Sequence, residues 1–202
     1  EQTIKTIKKI NNQYQEISNY FKNEEFIFPD EEKTLSETSY LLDIQNKRNG
    51  NIPVDFKKID TDLYNFMHNI AVSELKINSE DSNDILSYIN KNINPLVLDI
   101  KNYWNRARPF QYAYLFQVPL HPYETKTGAR TPSYPSGHSL QAYIYTEYLA
   151  ELYPEKAKQL IDLRKLVDMS RVDLGIHFVS DVDFSHKIAE YLFAMNLVVK
   201  QS

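Results

Sequence analysis

The chain has 202 residues, enough for a substantial core within one domain. Its 23 Lys and Arg against 27 Asp and Glu give a net charge of −4, which argues against nucleic-acid binding through bulk charge. The absence of cysteine excludes disulfides, thiol nucleophiles and cysteine metal sites, and four glycines are few for a β-rich or loop-rich fold.

In chain order, Ile4, Ile7, Ile10, Tyr14, Ile17 and Phe21 recur at steps of three and four and predict an amphipathic first helix. A second helix starts after Pro29 with an acidic first turn and stops at Gly50. Residues 54–77 carry Phe56, Ile59, Leu63, Phe66 and Ile70 at helical spacing and predict a third. A shorter helix over 81–92 precedes Pro95, which suits the first turn of the next. That helix is expected to run through 107 and to end before Pro109. Residues 109–135 include Pro109, Pro119, Pro122, Pro132 and Pro135 and predict a long irregular loop, a feature that usually serves function. Three closing helices are expected at about 137–153, 155–173 and 180–199, with Pro154 and Gly175 marking the breaks. The expectation is an all-α, compact bundle of seven or eight helices.

The most apolar late stretch, residues 189–199, contains Glu190 and Asn196 and falls well short of the ~20 residues a spanning helix needs, so no integral membrane segment is expected. The chain opens at Glu1 with no apolar signal-type run, and no targeting segment is expected within it.

Three segments carry the chemistry. In KNYWNRARP, Lys101 and Arg108 stand seven positions apart, which on a continuing helix places them on one face; alone they read as a solvated basic face. In PSGH, Ser136 reads as an N-cap, and the same helix start offers unpaired N–H groups of Gly137 and its neighbours to an anion, beside His138. In SRVDLGIHFVSD, Arg171 shares a face with Leu160, Val167 and Leu174 and is expected to turn inward, where it needs a carboxylate or a phosphate. His177 and Asp181 follow at a spacing of four. A carboxylate holding one ring nitrogen's proton leaves the other nitrogen free as nucleophile or base. Together these are the parts for phosphoryl transfer without a metal: cations for the phosphoryl oxygens, one histidine to attack, one to protonate the leaving oxygen. His68, His121 and His186 fall outside the pattern and read as packing or surface residues. Tyr112, Tyr114 and Phe116 are candidates for a substrate mouth, with Lys126 and Arg130 as weaker ones.

The three segments resemble the signature of the phosphatidic acid phosphatase type 2 superfamily, which includes class A acid phosphatases and vanadium haloperoxidases: Lys, six residues, Arg-Pro; Pro-Ser-Gly-His; Ser-Arg, five residues, His, three residues, Asp. Here these are Lys101 to Pro109, Pro135 to His138 and Ser170 to Asp181, complete and in order. The resemblance implies that His177 becomes phosphohistidine, Asp181 orients it and His138 donates the leaving-group proton. Lys101, Arg108, Arg171, Ser136 and the Gly137 N–H would hold the phosphoryl oxygens. It departs at Ser185, where the family often has glycine. The implied protein is a soluble, metal-independent phosphatase of small-molecule phosphate monoesters, one domain over 1–202, with the signature in 101–181 and the helices of 1–100 as scaffold. No cofactor is expected. The alternative is a haloperoxidase holding vanadate in the same pocket, and a phosphate-binding protein without turnover is a third reading. A periplasmic or secreted location is expected, and the possibility of a homo-oligomer stays open.

Overall fold

The computed structural model describes residues 13–198 apart from 24, 27, 122 and 124–129, and helices account for its regular structure, with no strand among the described residues. The all-α expectation holds. In order they are α1 (residues 13–21), α2 (Glu31–Arg48), α3 (Val54–Thr61), α4 (Leu63–Asn69), α5 (Ser79–Tyr88), α6 (Asn94–Trp104), α7 (Pro109–Leu115), α8 (Gly137–Leu152), α9 (Ala157–Asp173) and α10 (Val179–Ala194). Residues 1–12 of the expected first helix and Lys126 lie outside the described residues.

α8 is the central post. It packs against α9, α10 and α5, and Leu140, Ala142, Ile144, Tyr145, Tyr148 and Leu149 are buried over a wide arc of it, leaving the face of Tyr143, Glu147 and Ala150 half-buried. An apolar face that wide suits a helix enclosed by neighbours on most sides. The main core extends from Ile17 and Phe21 of α1 to Ile188, Leu192 and Val198 at the other end of the chain.

Four boundaries differ from the sequence reading, each for a local reason. The helix expected over 54–77 is two, because Asp62 leaves helical geometry (φ −158°, ψ 86°) and its carboxylate caps Asn65 N–H. The helices expected on either side of Pro95 are continuous. Residues Ile89–Ile93 widen into a π turn just before Pro95, whose ring cannot tolerate a regular preceding turn. The helix carrying Lys101 ends at Trp104, since Asn105 is left-handed (φ 44°) and its N–H returns to Lys101 O at 2.8 Å. Arg108 is therefore not on that helix face; it is the N-cap of α7, which Pro109 opens from its first position. The loop expected over 109–135 thus begins with a helix. At the far end, α10 stops at Ala194, with left-handed Asn196 (φ 51°) two residues on.

Candidate active site

The site forms where the C-terminal ends of α6 and α9 meet the N-terminal ends of α8 and α10. Asn105 turns the chain at the end of α6, so the next residues run back under Lys101. Gly175 does the same for α9. Its φ of +68° is open to glycine, and the N–H groups of Ile176 and His177 fold back onto Arg171 O at 3.3 and 3.2 Å. This turn carries His177 to the start of α10. The segment before α8 is held by packing and by hydrogen bonds. Tyr134 stacks on Phe184 with centroids 4.2 Å apart, Ser136 N–H donates to Asp181 O at 3.0 Å, and Ser185 Oγ donates to both Ser136 O and Asp181 O. Ser185, the one visible departure from the signature, thus ties the starts of α8 and α10 together.

His177 is buried, with both ring nitrogens engaged. Nδ1 lies 3.1 Å from Asp181 Oδ2, and Nε2 lies 2.8 Å from Arg108 Nη1. A guanidinium only donates, so Nε2 is the acceptor, and the ring is neutral with its proton on Nδ1, facing the carboxylate. Burial, aided by the charge of Arg108, holds the His177 pKa well below its ordinary value against the pull of Asp181. Asp181 Oδ2 also accepts Phe178 N–H at 2.9 Å and the Ser133 hydroxyl. Burial would raise the Asp181 pKa, but the His177 N–H and the Arg106 charge outweigh it and hold the carboxyl far below the carboxylate range.

The cations converge around this pair. Arg108 donates to Ile176 O and Thr131 O at 2.8 and 2.9 Å; burial and the Arg171 charge bring its pKa down to about 10 despite Asp181, so it stays charged at neutral pH. Lys101 spends two of its three N–H donors on Pro132 O and Ser133 O, and burial followed by Arg108 lowers its pKa well below the ordinary value. Arg171 is buried and donates from Nη2 to Asp60 Oδ1 of α3 at 2.8 Å, while its Nε and Nη1 are buried without a partner. Unpaired guanidinium N–H groups in an interior are costly unless an anion meets them. The ion-pair reading of Arg171 holds on Nη2, and Nε and Nη1 are left for another acceptor.

Ser136 Oγ accepts Ser139 N–H at 3.4 Å and pairs with Ser139 Oγ at 2.9 Å, an ordinary cap. That leaves the first N–H groups of α8, those of Gly137 and His138, without an intrahelical partner. Gly137 lies against Lys101, and a Cβ there would stand 3.9 Å from Lys101 Cε. His138 is half-buried, and its pKa is pushed well down by desolvation, then by the charges of Arg171, His177, Lys101 and Arg108. All eight residues singled out in the sequence meet here. Among the described residues no cluster of three or more His, Asp or Glu is arranged to hold a metal ion, and no helix is long and apolar enough to cross a membrane.

Three residues of this region escaped the sequence reading. Arg106 is 1% exposed and reaches Asp181, Ser180, Thr34 and Glu37. Glu37 of α2 and Asp60 of α3 come from the stretch read as scaffold, and each puts a carboxylate on an arginine of the site. Unlike Arg171, none of the three has an apolar helical face or a motif position to mark it as buried, and their partners are distant in the chain. Of the mouth candidates, Tyr112 packs on Phe178 and Phe116, whereas Tyr114 is 89% exposed. His68 bonds Ser82 Oγ as a packing residue; His186 pairs with Asp168 Oδ2 at 2.9 Å and is half-buried.

Comparison with known proteins places the same region. The chain is similar to an acid phosphatase of Zymomonas mobilis, 33% identical over 90 residues, which are 44% of this chain and 33% of that protein. It is similar to a non-specific acid phosphatase of Salmonella typhimurium, 35% identical over 95 residues, 46% of this chain and 37% of that one. A Salmonella typhi protein of the same name matches at 34% over 95 residues. The match spans little more than a third of these relatives' length. The model of the PAP2 superfamily matches residues 85–200, more than half of the chain and the whole of the site from Lys101 to Asp181, so the chain belongs to the PAP2 superfamily.

Proposed function

We propose that the protein is a metal-independent phosphatase that hydrolyses small phosphate monoesters through a phosphohistidine on His177, and that residues 1–202 act as one catalytic domain. The observation that carries this reading is the neutral His177 ring, proton on Nδ1 toward Asp181 and lone pair on Nε2, set among Lys101, Arg108 and Arg171. Nε2 attacks phosphorus as the ester oxygen departs with a proton from His138. Water, activated by His138 now neutral, then attacks the phosphohistidine and releases phosphate and His177. Lys101, Arg108, the free nitrogens of Arg171, and the Gly137 and His138 N–H groups would take the phosphoryl oxygens, the work a metal does elsewhere. Ser136 holds the start of α8 in place for that contact.

Burial, then the charges of Arg171, Lys101 and Arg108, keep the pKa of His138 low. A phosphate dianion reverses that field and restores the proton the leaving group needs. The relatives' names favour phosphatase over haloperoxidase. The test is a panel of aryl and alkyl phosphates, nucleotides, sugar phosphates and pyrophosphate, then bromide with peroxide and vanadate. We expect ester hydrolysis that phosphate and vanadate inhibit competitively and EDTA leaves unchanged. Activity abolished by EDTA and restored by zinc or magnesium, or bromide oxidation without ester hydrolysis, would overturn the proposal.

A further inference from the structure

The buried charges around Asp181 do not end with His177. The two carboxylate oxygens are divided between two tasks: Oδ2 takes the His177 Nδ1–H, Phe178 N–H and the Ser133 hydroxyl, and Oδ1 takes Arg106 Nη1 at 2.7 Å. The same guanidinium donates from Nη2 to Glu37 Oε2 and Thr34 Oγ1, both at 3.2 Å, and lies 4.1 Å from the centre of the Phe178 ring. Glu37 in turn accepts Ser180 N–H at 2.8 Å and the Ser180 hydroxyl at 2.6 Å, and Ser180 Oγ also meets Arg106 Nη1 at 2.7 Å. α2 thereby grips the first turn of α10 through one arginine and one serine.

Resting on the phosphatase reading, we infer that Arg106 is a positioning residue of the reaction: with Glu37 of α2 it clamps Asp181 so that the carboxylate faces Nδ1 of His177. Several features of the geometry support a role beyond packing. Apolar side chains would fill this space without the cost of burying three charges; the arrangement instead fixes the rotation of the carboxyl group, one oxygen per partner. A guanidinium presents two parallel donors to two acceptors at once, which an ammonium cannot do. Asp181 is faced by His177 on its own turn, by Arg106 from the α6–α7 connection, and at longer range by Lys101 and Arg108, while Glu37 lies beyond Arg106. Removing Arg106 takes away the one cation in direct contact with Oδ1 among these groups, so the Asp181–His177 pair should accept a proton at higher pH.

The test uses nitrogen-15 histidine NMR of the ligand-free chain as wild type, Arg106→Met, Arg106→Met with Glu37→Gln, and Arg106→Lys. The double variant removes the carboxylate that the single one strands. In Arg106→Met and the double variant, the midpoint at which the neutral His177 signal is lost should rise by about one pH unit or more, as expected for loss of an adjacent opposite charge. Arg106→Lys should shift it less. With an aryl phosphate, kcat should fall about 10–100-fold in both Met variants, the cost typical of lost orienting partners, while inhibition by phosphate stays within about threefold. Folded variants with an unmoved midpoint would overturn the inference, as would failure of all three variants to fold, which would assign Arg106 to the fold alone. A wild type that hydrolyses no ester would instead overturn the phosphatase reading and leave the NMR comparison intact.

Discussion

His177 and His138 differ in what surrounds them, and the proposed division of labour between them rests on that difference. His177 is clamped at both nitrogens, whereas His138 stands half-buried beside the first turn of α8. His177→Ala should abolish turnover and any trapped phosphoenzyme, read by labelled phosphate after acid-free quench. His138→Ala should cost far more on alkyl than on aryl esters, because an aryl oxide leaves without help and an alkoxide does not. Equal losses on both ester types would refute the division. Asp181→Asn keeps the side chain's shape but loses the charge that fixes the Nδ1 proton; by analogy with catalytic triads kcat should fall on the order of 10³–10⁴-fold, with a much smaller change in phosphate affinity. That these residues lie together was legible because the signature fixes residue types at fixed spacing. Arg106, Glu37 and Asp60 were not, since their value lies in partners 69 to 111 residues away.

At the scale of elements, two tight turns deliver the reacting groups, and only one was legible. Gly175 marks the end of α9 in the sequence, and the structure uses its left-handed φ to bring His177 back over Arg171 O. Asn105 was a weaker mark than glycine: asparagine is one of the few other residues that adopts the left-handed form, but it also occurs within helices, and the breaker weighed was Pro109, so the helix was expected to run on to residue 107. Pro109 was read as a stop and also serves as a start. The Gly175 turn is open to a paired test. At both Gly175 (φ +68°) and Gly50 (φ +78°) a Cβ meets no close neighbour, so alanine at either position costs only backbone strain, about 1–2 kcal/mol. Gly175→Ala and Gly50→Ala should lower the melting temperature by similar amounts, roughly 2–8 °C. Only Gly175→Ala should lower kcat as well, because only that turn sets the position of His177. Equal kcat values in the two variants would show that His177 is held by Asp181 and Arg108 regardless of the turn.

For the whole molecule, the site is a store of buried positive charge, which on the proposed function an anion would complete. Lys101, Arg108 and Arg171 meet two histidines whose pKa values lie well below the usual one, first through burial and then through those same cations. An unfolded chain takes up protons on both rings as the pH drops through about 6.5, whereas the folded site refuses them. Stability is therefore unaffected by these rings above that pH and is lost progressively below it. Asp181 acts lower on the scale: its depressed pKa contributes stability above the unfolded value, about 3.9, which disappears as the pH falls toward the folded one. The window from pH 7 to 5 thus belongs mainly to the histidines, with Asp173 and Asp183, whose pKa values desolvation raises, pulling weakly the other way. A bound dianion changes the sign for His138, because it replaces repulsion with attraction and makes protonation favourable. Sulfate is the cleaner probe, since it stays a dianion throughout this window while phosphate gains a proton. At a hundredfold excess over its Kd, sulfate should stabilise the protein by about 2.7 kcal/mol, roughly 5–10 °C in melting temperature, relative to chloride at equal ionic strength. At a fixed sulfate concentration, that increment should grow as the pH is lowered from 7 to 5, even though the melting temperature in chloride falls over the same range. His138→Ala should remove the growth and keep the increment seen at pH 7. An increment that shrinks on acidification, or one that persists unchanged in the Arg171→Met variant, would mean that sulfate binds somewhere other than the pocket bounded by Arg171, Lys101 and the start of α8.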